Sequence, residues 1–199
     1  GGRADILVGT QILAKGHDFP NLTLVAVLNA DSALYSADYR APERLFAQLV
    51  QVAGRAGRAG LPGEVLIQTQ YPRHPLYLAL AQHDFPGFAQ TLLAEREQAG
   101  FPPYVFEAVL RAEAAEINGA LEFLREAAAL AGPPPAGITL YDPVPMSVAR
   151  LAERERAHLL LQSASRKILQ SYLGAWSEKL HALPQRAVRW HLDVDPIEF

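Results

Sequence analysis

Gln51-Val-Ala-Gly54-Arg55-Ala-Gly57-Arg58 sets two arginines three residues apart in a glycine-rich stretch, directly after an apolar segment. Glycine lets the backbone turn tightly and approach a ligand closely. Arginine offers a planar, permanently charged fork that matches phosphate oxygens. Two such forks anchored beside a sheet make a phosphoryl clamp, able to stabilise charge on a transferring phosphate. The same string also suits a solvated turn carrying surface arginines.

A second string is Gly9-Thr10-Gln11-Ile-Leu-Ala-Lys15-Gly16-His17-Asp18-Phe19-Pro20. It follows the short apolar run Ile6-Leu7-Val8, which reads as a buried strand. In open parallel sheets ligands collect beyond the carboxyl ends of strands. Thr10 can offer a hydroxyl and an N–H to a phosphate, and Asp18 can accept from a ribose hydroxyl. The alternative is a plain strand-to-helix connection with Thr10 as its cap.

A third group is basic: Arg150, Arg154, Arg156, Arg166 and Lys167, interrupted by Glu153 and Glu155. On a loop or hairpin, Arg150, Arg154 and Arg156 would add a salt-dependent contact to nucleic-acid phosphates. A solvated loop partly neutralised by the two glutamates is the other reading. Any such contact has to be local, because the net charge is -3 and neither half of the chain is basic overall. Trp176 lies mid-helix and Trp190 on an alternating strand, so both read as core rather than as base-stacking platforms. Tyr35 and Tyr39, in the polar loop after Asp31, are better placed for a sheltered contact, and no role is assigned to them. The six histidines fall at no metal-ligand spacing.

These residues need elements to hold them. Leu22 to Leu28 and Val65-Leu66-Ile67 are apolar runs without polar alternation, which predicts parallel strands buried on both faces. Between them Leu45, Leu49 and Val52 recur at helical spacing, widened by Phe46 and Val50, with Pro42 suited to the first turn. Gly54, Gly57 and Gly60 end that helix. Residues 75–99 read as helical with a break at Asp84 to Gly87, and Gly100-Phe101-Pro102-Pro103 stops them. The later half reads strand, helix, strand, strand, helix, strand: Val105 to Arg111, Ile117 to Leu130, Ile138 to Tyr141, Ala157 to Gln162, a helix from Arg166 to Leu183 capped by Ser165, and Val188 to Val194. That order is the split βαβ, ferredoxin-like arrangement. The expected fold class is therefore α/β plus α+β: part of a mostly parallel sheet over residues 1–72, a helical connector over 73–100, and a ferredoxin-like βαββαβ domain over 101–199.

Composition closes off other classes. With no cysteine in 199 residues, a disulfide scaffold, a thiolate zinc site and a catalytic thiol are excluded for this chain. The longest apolar runs fall far short of the ~20 residues of a membrane span. No charged segment followed by an apolar stretch opens the chain, so no secretory signal is expected. A cytoplasmic, nucleoid-associated location without membrane contact is the expectation.

The first two strings together resemble motifs V and VI of superfamily 2 helicases. With Asp38-Tyr-Arg-Ala-Pro-Glu-Arg44, Gly63-Glu-Val-Leu-Ile-Gln-Thr69 and the ending Val188-Arg-Trp-His-Leu-Asp-Val-Asp-Pro-Ile-Glu-Phe199, the chain resembles the PriA family of primosomal replication-restart helicases over essentially its whole length. The resemblance implies a RecA-like lobe at the start. It assigns Thr10 and Gln11 to the backbone of the tracked DNA strand, Gly16 and Asp18 to the nucleotide edge, and Gln51 to the γ-phosphate and attacking water. Arg55 and Arg58 become arginine fingers. Lys15 is left open between DNA backbone and solvent. In the later domain it implies binding of branched or single-stranded DNA and of the acidic tail of single-stranded DNA-binding protein. Arg166, opening a helix after Ser165, makes a good carboxylate receptor with Gln170 one turn on. The tail-binding role is carried to these two residues.

The resemblance also implies what lies elsewhere. No Gly-Lys-Ser/Thr loop and no acidic Asp-Glu-x-His or Asp-Glu-x-Asp box occurs in the sequence. ATP and Mg²⁺ would therefore be completed by a first lobe, and the chain reads as the C-terminal part of a 3′-to-5′ helicase that restarts stalled forks with other primosome proteins. Zinc, held by cysteines upstream of motif V in the family, is expected in the full-length protein but not in this chain. Alone, the chain is expected not to hydrolyse ATP. A different reading makes it a non-catalytic docking module that helps load the replicative helicase.

Overall fold

The computed structural model describes residues 5–9, 22–36, 38–57, 62–151, 154–183 and 187–197, with backbone alone at 147–151. The chain divides into two compact units, Gly1–Glu95 and Arg96–Phe199.

In the first unit, β1 (Leu24–Val27) pairs in parallel with β2 (Glu64–Ile67), Leu24 opposite Glu64 and Val27 opposite Ile67. Parallel neighbours require a crossover. Here it runs through a 3₁₀ segment, Ala30–Tyr35, and helix α1, Ala41–Ala53. Pro42 occupies the first turn of α1, where its missing N–H costs nothing. Leu45, Phe46 and Leu49 form the buried stripe of α1 and meet Leu76, Tyr77, Phe88 and Leu92 from α2 (Pro75–Gln82) and α3 (Phe85–Ala99). Phe46 stacks on Phe88 with ring centroids 5.0 Å apart. The break before α3 has a simple cause: Asp84 Oδ1 accepts from the Gly87 N–H at 2.9 Å, capping the new helix.

Two expectations for this unit change. Val25, Val27, Val65 and Ile67 turn inward, but Leu24 and Leu66 remain 48% and 49% exposed, so among the described residues the sheet is covered on one face only. The run Ile6-Leu7-Val8 forms no strand, and its side chains are exposed. A strand needs a neighbour's ladder, and β1 and β2 are paired only with each other among the described residues.

The second unit holds β3 (Phe106–Ala114), α4 (Ile117–Ala131), β4 (Ile138–Leu140), β5 (Val144–Leu151), β6 (Arg154–Ser163), α5 (Arg166–His181) and β7 (Arg189–Val194). The strand order is β4-β6-β3-β7, with β5 also on β6, and every pairing is antiparallel. Ala108, Leu110 and Ala112 of β3 and Ala157, Leu159 and Leu161 of β6 form one core with Phe123 and Leu124 of α4 and Leu169, Leu173 and Trp176 of α5. The Trp176 Nε1–H donates to the Ala127 carbonyl at 2.9 Å, fastening α5 to α4. Trp190 packs on Phe123 and His181, so both tryptophans serve the core. β5 is an additional strand: residues 144–151 form a hairpin with β6, placing the basic stretch on that hairpin.

Candidate nucleotide and partner sites

Helix α1 ends at Gly54, whose N–H donates to the Val50 carbonyl at 2.9 Å. The next turn tightens, with Arg55 N–H on Val52 O at 3.0 Å and Ala56 N–H on Ala53 O at 3.1 Å. Gly57 then takes φ 74°, open to glycine at little cost, and its N–H donates to the Leu22 carbonyl at 3.0 Å. Gly63 lies so close that a side chain there would strike the backbone of Gly57 and Ala56. Residues 54–57 are thereby tied to the amino ends of β1 and β2, two residues past the Gly9-to-Pro20 string. The crossover explains it, because a helix returning between parallel strands finishes at the edge where the second strand begins.

Gln51 is exposed and Arg55 half-buried, four residues apart, on the last turn of α1 and the turn after it. Their amide and guanidinium suit phosphate oxygens. Arg58, Thr10, Gln11, Lys15, Gly16 and Asp18 lie outside the described residues, as does the side chain of Arg150. Among the described residues no three His, Asp or Glu side chains converge on a metal position.

The carboxyl ends of the same strands carry a polar cluster that belongs to none of the sequence motifs. Asp31 is buried; its Oδ1 accepts from Thr69 Oγ1 at 2.6 Å and from the Tyr77 hydroxyl at 2.7 Å, and its Oδ2 from the Gln70 N–H at 2.7 Å. The Thr69 hydroxyl first, then the Gln70 amide and Tyr77, hold the Asp31 carboxyl below its ordinary range despite burial. Burial first, and then Asp31, push the Tyr77 hydroxyl up to about 12. The exposed Tyr35 hydroxyl bonds that of Tyr71, and Arg40 lies over the Tyr39 ring at 4.4 Å. The available signal was an Asp just after a strand, two residues past Asn29, which takes the left-handed region at φ 53°.

In the second unit the basic hairpin is tied inward. Arg154 Nη1 donates to the carbonyls of Glu113 and Ala187, at 3.3 and 3.4 Å. Arg156 Nε stands 3.7 Å from Glu113 Oε1. Ser165 Oγ accepts from the Ile168 N–H at 3.4 Å, starting α5 where its cap was expected. Arg166 and Gln170 are both exposed, one turn apart. The Arg166 guanidinium lies over the Phe106 ring at 4.5 Å, and its Nη1 meets Asp195 Oδ2 at 2.7 Å. Phe106 and Asp195 are the site residues that sequence reasoning missed. The Asp-Val-Asp-Pro ending carried the signal, since Asp193 pairs with Arg111 at 3.3 Å and Asp195 with Arg166.

Residues 1–60 match the family described as "Helicase conserved C-terminal domain". Residues 97–197, half of the chain, match "Primosomal protein N C-terminal domain", and the chain belongs to that family. It is 43% identical over 98% of its length to "Replication restart protein PriA" of Haemophilus influenzae, 39% identical over 98% to that of Synechocystis sp., and 36% identical over 98% to that of Bacillus subtilis. It spans 27%, 23% and 24% of those proteins, about a quarter of their length. A solved structure, "De novo designed protein Foldit4", aligns with 45% of this chain and 94% of its own at 3% identity and a TM-score of 0.35, a likeness too slight to bear on the fold.

Proposed function

We propose that this chain is the C-terminal part of an ATP-dependent 3′-to-5′ DNA helicase that recognises stalled replication forks and restarts replication through primosome assembly. The observation that carries the reading is the hydrogen bond from Gly57 N–H to Leu22 O at 3.0 Å, two residues past the end of the Gly9-to-Pro20 string. Arg55 and Arg58 act there as arginine fingers, with Gln51 toward the γ-phosphate, Gly16 and Asp18 at the nucleotide edge, and Thr10, Gln11 and Lys15 along the DNA strand. ATP with Mg²⁺ supplies the energy of translocation once a first lobe completes the pocket. Zinc belongs to other parts of the full-length protein, since this chain contains no cysteine. The strand order β4-β6-β3-β7 with both helices packed into one core supports a ferredoxin-like second unit. The hairpin that carries Arg150, Arg154 and Arg156 contacts fork DNA, and Arg166 with Gln170 receives the acidic tail of single-stranded DNA-binding protein. The protein works in the cytoplasm at the nucleoid; among the described residues no helix is long and apolar enough to cross a membrane.

The test uses the longer natural protein with Arg55→Ala and Arg58→Ala. DNA-stimulated ATP turnover should fall by roughly a thousandfold or more, while fork binding stays near wild type. Turnover that survives both substitutions would end the finger assignment. The isolated chain should show no DNA-stimulated turnover.

A second reading is a non-catalytic docking module that binds fork DNA and single-stranded DNA-binding protein during helicase loading. The exposed Arg166 and Gln170 on a unit with its own core favour it. Fork binding by a full-length protein without ATP turnover would select this reading.

A further inference from the structure

The Arg166 guanidinium is already occupied by a carboxylate. Asp195 Oδ2 lies 2.7 Å from Arg166 Nη1, across 29 residues of sequence. That carboxylate is delivered by a fixed backbone. Asp195 takes φ 54°, a region that an L residue other than glycine, asparagine or aspartate rarely adopts. Its N–H donates to the carbonyl of the buried Glu107 at 2.9 Å, and the following Pro196 is buried. The receiving group is held as well: the Phe106 ring lies beneath the guanidinium at 4.5 Å, and the Ser165 cap fixes the first turn of α5. Both partners of the pair are nonetheless about half exposed, 54% and 47%. A pair so open to water is weak and can be displaced.

We infer that Asp195 is a built-in competitor for the partner site at Arg166: an incoming carboxylate binds the guanidinium only by displacing Asp195. The inference rests on the reading of Arg166 as the receptor for the acidic tail, and it assigns a regulatory role to the Asp-Val-Asp-Pro ending. The competitor lowers affinity and makes the site selective. A lone carboxylate offers nothing that Asp195 does not already supply, whereas a tail with several acidic groups and a chain end can displace it.

The test measures anisotropy of a labelled synthetic peptide carrying the acidic C-terminal tail of a single-stranded DNA-binding protein. It is titrated against wild type, Asp195→Asn, Arg166→Ala and the double variant. Asparagine removes the charge while accepting the same left-handed backbone. Asp195→Asn should bind roughly two- to fivefold tighter, the range expected when a half-exposed pair no longer competes. Arg166→Ala should bind much more weakly, and adding Asp195→Asn to it should restore nothing. Weak binding by Arg166→Ala with unchanged or weaker binding by Asp195→Asn overturns the competitor and leaves the receptor reading intact. Wild-type binding by Arg166→Ala removes the receptor reading, and the competitor with it. A gain that persists in the double variant marks general charge repulsion and also overturns the competitor. Thermal melts accompany each titration; should Asp195→Asn melt early, Asp195→Gly provides a second charge-free variant that accepts the left-handed backbone, held to the same outcomes.

Discussion

His158 sits on β6 opposite Arg111 of β3, with a charged neighbour where an imidazole would otherwise protonate. Burial first, and the Arg111 guanidinium second, hold its pKa below the ordinary value of 6.5. The folded chain therefore binds fewer protons than the unfolded chain as pH falls toward that value. The resulting stability is fully present above it and is lost as pH drops through the imidazole range. Urea midpoints at about pH 7.5 and about pH 5.5, which bracket that range, should fall more for wild type than for His158→Gln. Equal losses would assign the acid sensitivity to other groups. Single residues were unevenly legible. Ser165, Arg166 and the two tryptophans were readable because caps, helix starts and strand alternation are local features. The Arg166–Asp195 pair was not, because it depends on a backbone turn that brings together groups 29 residues apart. The Asp31 cluster was hidden for the same reason: its partners Thr69 and Tyr77 are 38 and 46 residues away.

At the scale of elements, the arginine loop depends on two glycines. A Cβ added at Gly63 meets main-chain atoms of Gly57 and Ala56, which cannot swing aside as a side chain would. Gly63→Ala should cost about 1–3 kcal/mol of stability, the range for overpacking. Gly54→Ala is the contrast: its backbone is right-handed at φ -65°, and the nearest atom to an added Cβ is Val50 O at 3.4 Å. Chemical denaturation of the two variants should separate them, and equal midpoints would show that the loop has room to shift. Helices α1, α4 and α5 were legible from spacing and caps. Strand β5 was not, because Pro145 argues against a strand; it lies on an edge, where a missing N–H is tolerated. The reverse error was Ile6-Leu7-Val8, where an apolar run predicted a strand. Hydrophobicity supplies the tendency, but only a neighbouring edge supplies the hydrogen bonds.

Across the whole molecule, the two units differ in how completely each is enclosed. The second buries Leu110, Leu124, Leu159, Leu161 and Trp176 almost fully in one cluster between its sheet and helices. Arg96–Phe199 expressed alone should therefore unfold in one cooperative urea transition. A broad, non-cooperative curve would show that its core needs the rest of the chain. In the sequence the boundary falls at Gly100 to Pro103, where the helical pattern is interrupted, whereas the two units meet between Glu95 and Arg96, inside α3. The uncovered face of the first sheet was not legible, since an apolar run does not record how many layers will cover it. The edges of the two sheets have opposite consequences for self-association. At β7 the outermost strand is six residues long, carries Arg189 and Asp193, and ends where Asp195 bends away before a proline with no N–H to offer. A second molecule finds little there to extend. Strands β1 and β2 each keep one unpaired side among the described residues, beside half-exposed Leu24 and Leu66. Among the described residues, these are the edges on which intermolecular strands would grow when concentrated chains begin to stick together.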